Sequence, residues 1–189
     1  MPEGDAVYLT ARRLRRALVG QALTRCDIRV PRYATVDLAG QTVDEQGSYG
    51  KHLFTRIGDW SIHTHLKMEG VWQVYRPGDR WRRPAHQARI VLGTADTDAV
   101  GFSLGTVEVL PRAAEPDAVA HLGPDLLGPD WDPTEAMRRL RRDPARPIGL
   151  ALLDQTNLAG IGNTTAARSA SCNASIRACR SAPCRTWRR

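Results

Sequence analysis

Between residues 22 and 110 the chain is cut into short runs of β-forming residues, and this constrains its architecture more than any other feature. The runs are ALTRCDIRV, KHLFTRI, WSIHTHLKM, GVWQVY, ARIVL, AVGFSL and TVEVL. The turn segments IGDW, RPGD and TADTD punctuate them. β-Branched and aromatic side chains fit a pleated surface, while Gly, Pro and Asp supply the reversals between strands. Many short strands at this spacing predict an antiparallel sandwich or barrel.

Helical patterns flank this region. Residues 5–19, DAVYLTARRLRRALV, place Val7, Ala11, Leu14 and Leu18 on one stripe, with Arg12, Arg13, Arg15 and Arg16 mostly off it. Gly20 follows as a stop signal. After Pro111 the character is helical again. In WDPTEAMRRLRRD, Asp132 is placed as N-cap and Pro133 at the first helical position. The run IGLALLDQTNLAGIGN predicts a buried helix broken by Gly160 and Gly162. The expected class is α+β: a β-sandwich unit over 1–112 with an N-terminal helix, then an incomplete helical unit over 113–163.

Residues 164–189 change character abruptly to Ala, Ser, Arg and Cys, with Ile176 and Trp187 the only large apolar residues. Such a composition cannot bury enough surface to offset the cost of ordering the chain, so a disordered basic tail is expected. It is either a native tail or the product of a reading frame lost near residue 164, and the abruptness favours the second. The tail holds six arginines and no acid, which leaves 21 of the 27 basic and all 20 acidic side chains to residues 1–163. All but one unit of the net charge of +7 therefore belongs to the tail, and nucleic-acid binding by the body needs a local patch. No apolar run is long enough to span a membrane and no signal-peptide pattern opens the chain, so a cytoplasmic monomer with no membrane partner is expected. The cysteines Cys26, Cys172, Cys179 and Cys184 form no C-x-x-C pair, so neither a zinc ribbon nor, in the cytosol, a disulfide framework is supported.

Lys51 and Lys67 are the only lysines among the 27 cationic residues. Lysine supplies a flexible point charge with a tunable pKa, which arginine does not. The opening MPEGD carries a second candidate. Removal of Met1 would leave the secondary amine of Pro2 as the terminus, with a pKa in the α-amino range of about 7.7–8.0. The helix that starts nearby should lower it further. A neutral amine beside Glu3, which can carry protons, suits Schiff-base chemistry on a carbonyl such as an opened sugar.

PEGD at 2–5, GKHLF at 50–54, HTHLKMEG at 63–70 and LLDQTNLAGIGN at 152–163 stand in an order and spacing that resemble the Fpg/Nei DNA glycosylases, most closely the endonuclease VIII branch of actinobacteria. The resemblance implies a bifunctional enzyme on damaged DNA. It would excise oxidised bases, mainly pyrimidines, and cleave the abasic site by β,δ-elimination. By motif, Pro2 resembles the Schiff-base nucleophile, Glu3 the acid/base that opens the deoxyribose, and Lys51 the lysine that contacts phosphate at the lesion. Met68 resembles a wedge filling the gap left by the extruded nucleotide, with core filler as the alternative, and Lys67 either touches the backbone or is a surface charge. Asn163 resembles the phosphate-gripping asparagine of a helix–two-turn–helix motif, with Gly160 and Gly162 admitting close backbone approach to DNA. His63 and His65 read as structural. The family's zinc ribbon is not matched, so no metal site and no cofactor are carried over. A non-catalytic DNA-binding remnant and a misfolded product remain alternatives to the enzyme.

Overall fold

The computed structural model describes residues 2–169. Helix α1 (Gly4–Leu18) leads into β1 (Arg25–Ile28), β2 (Glu45–Tyr49), β3 (His52–Ile57), β4 (Trp60–His65), β5 (Val71–Tyr75), β6 (Ala88–Gly93), β7 (Asp98–Phe102) and β8 (Thr106–Pro111). Helices α2 (Glu115–Val119), α3 (Pro133–Leu140) and α4 (Ile148–Leu153) follow. The strands form two antiparallel four-stranded sheets, ordered β1-β6-β7-β5 and β2-β3-β4-β8.

The expected α1 stripe is the buried one: Val7, Ala11, Leu14 and Leu18 face inward, joined by Gly4. These side chains meet Ile28, Ile90 and Leu92 of the first sheet and Leu53, Ile57, Ile62 and Val107 of the second in one apolar core. Each fully buried Leu or Ile contributes roughly 1.5–3 kcal/mol relative to an exposed one. The helix ends at Leu18, and the chain turns away at Gly20, whose φ of 81° suits a residue without Cβ. The other face of the first sheet is covered by Trp81, which packs edge-on to Phe102 at 5.7 Å under the Arg29 guanidinium.

Strand β2 was not among the predicted strands. Its sequence, EQGSY, has neither β-branched residues nor apolar alternation. It is an edge strand whose pairing comes from β3, in register from Glu45↔Arg56 to Tyr49↔His52. Its one buried side chain, Gln46, is satisfied by the Thr55 hydroxyl at 2.6 Å.

Arg56 ties the second sheet to the segment that leaves it. Its guanidinium meets Glu45 at 2.6 Å and grips the nearly buried Glu115 of α2 at 2.7 Å. Glu115→Ala would leave a half-buried guanidinium short of a partner, and a loss of about 2–4 kcal/mol is expected. Urea unfolding checks this; a loss below about 0.5 kcal/mol would show the pair to be a surface ornament.

Beyond α2 the sequence reading needs two corrections. The N-cap at Asp132 forms as expected, accepting from the Thr134 and Glu135 N–H groups. Helix α4, however, buries only Ala151, while Ile148 and Leu150 are exposed. It ends at Leu153, seven residues before Gly160, because the Asp154 carboxylate turns back onto the Thr156 N–H at 3.0 Å and hydroxyl at 2.7 Å. Residues 163–169 are helical rather than disordered, and Ala166 packs against Ala136, Leu158 and Ile161. Composition missed this because the segment is held mainly by its backbone. The expected disorder of 170–189, with Cys172, Cys179 and Cys184, lies outside the described residues.

Candidate active site

Three remote segments meet at the start of α1. The Gly4 N–H donates to the Gly160 carbonyl at 2.9 Å. Gly160, at φ 94°, lies so close that an added Cβ would stand 3.4 Å from the Gly4 Cα and 3.5 Å from the Gly50 Cα. Gly50, at φ 56°, begins the β2–β3 turn and donates its N–H to the buried Asp125 carboxylate at 3.0 Å. The next residue, Lys51, is buried and donates from Nζ to the Ile161 carbonyl at 2.7 Å. Gln155 fixes the same loop from behind, with Nε2 donating to the Ile161 carbonyl at 2.8 Å and Oε1 accepting from the Gly160 N–H at 3.1 Å.

Glu3 occupies the N-cap position of α1, yet its side chain does not cap that helix. The carboxylate reaches across to the helical run 163–169. It accepts from the Thr164 N–H at 2.7 Å, the Thr165 N–H at 3.0 Å and the Thr165 hydroxyl. These are N–H groups that a first helical turn leaves without internal partners, at its positive end. Burial pushes the Glu3 pKa up, but the bonds from Thr165 and Thr164 outweigh it and hold the group at about 2. Glu3 is therefore a carboxylate at neutral pH. Burial depresses the Lys51 pKa, and the nearby Glu3 charge opposes that shift.

The predicted residues thus divide. Pro2, Glu3, Lys51, Gly160 and Gly162 come together; Gly162 lies against Glu3, where a Cβ would stand 2.6 Å from its side chain. Both glycines make close contacts inside the protein, and the Gly160 N–H donates to Gln155 Oε1. Asn163 is exposed at the start of the last helical run. Lys67 and Met68 stand apart on the β4–β5 turn. Met68 is 69% exposed, which removes the core-filler reading. Lys67 has φ 54° and donates its backbone N–H to His65 Nδ1 at 2.9 Å. Sequence reasoning missed Asp125, Gln155, Thr164 and Thr165. Gln155 lay inside a quoted motif; the two threonines carry no signal, since two of their three bonds come from backbone. A cleft of about 1080 Å³ lined by Tyr8, Arg12, Tyr49, Glu115, Asp130 and, at the edge of this cluster, Asp125 holds none of the predicted residues.

The formamidopyrimidine-DNA glycosylase N-terminal domain model matches residues 1–103, more than half of the chain. The chain belongs to that family. A probable endonuclease 8 2 of Streptomyces coelicolor is 60% identical over 165 residues, covering 86% of this chain and 60% of that protein. The DNA-(apurinic or apyrimidinic site) lyase Nei2 of Mycolicibacterium smegmatis is 60% identical over 163 residues, covering 86% of this chain and 63% of that protein. The chain thus spans somewhat under two thirds of these curated relatives. Among solved structures, the family fold recurs in the formamidopyrimidine-DNA glycosylase of Lactococcus lactis bound to DNA containing an abasic site, with a TM-score of 0.71 at 24% identity, over 85% of this chain and 64% of that one.

Proposed function

We propose that this chain carries the chemistry of a DNA glycosylase and abasic-site lyase of base excision repair. Its substrate would be a duplex holding an oxidised base, mainly a pyrimidine. The supporting observation is the junction of the Glu3 carboxylate, beside Pro2, with the Lys51 ammonium through one short segment, residues 161–165.

With Met1 removed, the Pro2 nitrogen attacks C1′ of the damaged nucleotide. The C1′–base bond breaks and the base leaves with its electron pair. The C1′–O4′ bond then opens to an iminium, and the ring oxygen takes a proton. Glu3, anionic at rest, begins as the proton acceptor and returns the proton to the sugar. Loss of a C2′ proton expels the 3′-phosphate, and a second elimination expels the 5′-phosphate. Lys51 holds a phosphate beside the lesion and stabilises its departure. Met68, exposed on the β4–β5 turn, fills the stack behind the extruded nucleotide, and Lys67 and Asn163 meet backbone phosphates. The chain acts as a monomer in the cytoplasm, on the nucleoid, and uses no cofactor.

Borohydride trapping on an abasic-site duplex tests this reading. A covalent adduct mapping to Pro2 is expected. No adduct at high protein concentration, in a chain that still retains the duplex on a filter, would establish a binding protein without turnover.

A further inference from the structure

The second sheet carries a line of stacked rings on the face away from the core. Phe54 and His63, directly paired across β3 and β4, stack at 4.9 Å. His63 stacks in turn on His52 at 5.1 Å. His52 and His65 are the pair at the end of the β3–β4 ladder, next to Lys51 and near Lys67, and their rings meet edge to face at 4.9 Å. His63 Nδ1 lies 2.9 Å from a Glu108 carboxylate oxygen, and His63 Nε2 lies 2.8 Å from His52 Nδ1. Among the described residues no hydrogen bond is made to His52 Nε2.

These contacts restrict where protons can sit. Glu108 as a carboxylate only accepts, so His63 Nδ1 carries a hydrogen. One hydrogen then lies between the two rings, in one of two arrangements. If His63 is neutral, His52 donates from Nδ1 and its Nε2 is a bare lone pair. If His63 is an imidazolium, its Nε2 donates, and a neutral His52 carries its hydrogen on Nε2. A lone pair repels a phosphate oxygen; an N–H binds one.

We propose that Glu108, His63 and His52 form a relay that presents His52 Nε2–H to a backbone phosphodiester, one proton being taken from solvent as the phosphate binds. This rests on the DNA-binding reading above. The incoming proton adds to His52 Nε2, the Nδ1 hydrogen passes to His63 Nε2, and the new charge rests on His63 against Glu108. His52 is the binding residue; His63 and Glu108 position it. The groups facing His52 are His65 from β4, His121 from beyond α2, and Lys67; Lys51 adjoins it in the chain and also faces His65. Burial first, and then His63, His65, His121 and Lys67, hold the His52 pKa down at about 3, so charge on that ring is disfavoured, whereas His63 has a carboxylate beside it.

The test is imidazole ¹⁵N NMR of the full chain at neutral pH, free and with a duplex containing a tetrahydrofuran abasic analogue. The free protein should show His52 protonated at Nδ1, and the complex should show it protonated at Nε2 with His63 protonated on both nitrogens. Calorimetry in buffers of different ionisation enthalpy should report uptake of about one proton by this coupled pair. Glu108→Gln, on a half-exposed side chain, should move the switch to lower pH and weaken binding about tenfold. His52→Gln should abolish the uptake and gives the answer if the Glu108 variant fails to fold. His52 remaining protonated at Nδ1 in the complex, two protons on His52, or a Glu108→Gln protein matching the parent would overturn the relay while leaving DNA binding intact. A duplex that does not bind at all removes the DNA reading and the relay together.

Discussion

Replacing Glu3 by glutamine is expected to lower turnover on a damaged duplex by about 10²–10⁴-fold, the range for losing a positioned general acid–base. The amide cannot take up and return a proton. Its NH₂ group is also a donor brought against the Thr164 and Thr165 N–H groups, where the carboxylate only accepted. A second signature sets this loss apart from simple misfolding. The folded Glu3 pKa, about 2, lies below its ordinary 4.5. A depressed carboxyl contributes stability in full above its unfolded pKa, and that contribution drains away as pH falls through the folded value. At neutral pH the shift corresponds to roughly 3 kcal/mol before solvent screening reduces it. Urea unfolding of parent and variant should therefore differ by a constant amount above about pH 5, and the gap should close towards pH 2. A gap that ignores pH, or turnover within tenfold of the parent, would sink the assignment.

Gly162→Ala is expected to cost about 10²-fold in turnover, with a stability loss no larger than that of Glu3→Gln, since the same Glu3 bonds are disturbed. The new Cβ would fall 2.6 Å from Cγ, Cδ and Oε1 of Glu3. Something must move, and the atoms in the way belong to a side chain that can swing. Gly162 is not among the glycines with positive φ, so alanine adds no backbone strain there. On the proposed mechanism the displaced group is the proton carrier, and displacements near 1 Å are enough for losses of this size. Trapping at a pre-formed abasic site should survive, since Pro2 is untouched. The comparison of turnover with trapping, alongside a melting curve, decides it. Equal loss of both activities would place the damage in the fold instead.

The parts of this molecule that were legible from sequence are those where side chains carry the signal. The α1 stripe at Val7, Ala11, Leu14 and Leu18 follows from helical periodicity. The β3, β4 and β6 strands follow from β-branched and aromatic content, and the Asp132 cap from side-chain chemistry. Strand β2 was hidden because an edge strand of polar residues owes its conformation to its neighbour. Gly160 and Gly162 stood out as positions of close approach, but sequence could not say what approaches; the neighbours are Gly4, Gly50 and Glu3. Thr164 and Thr165 were assigned to a tail for their composition, although what they supply to Glu3 is largely two main-chain N–H groups that almost any residue would supply.

The bond from Thr164 to Glu3 joins groups 161 positions apart in the chain. A polypeptide leaving the ribosome exposes Glu3 first and the peptide units that orient it only 161 positions later. The sandwich can form in between, but the geometry at Glu3 waits for loop closure across that separation. A chain made only as far as the sandwich thus carries Glu3 without the N–H groups that fix it, and the proposed chemistry on DNA is withheld until synthesis has run past residue 165.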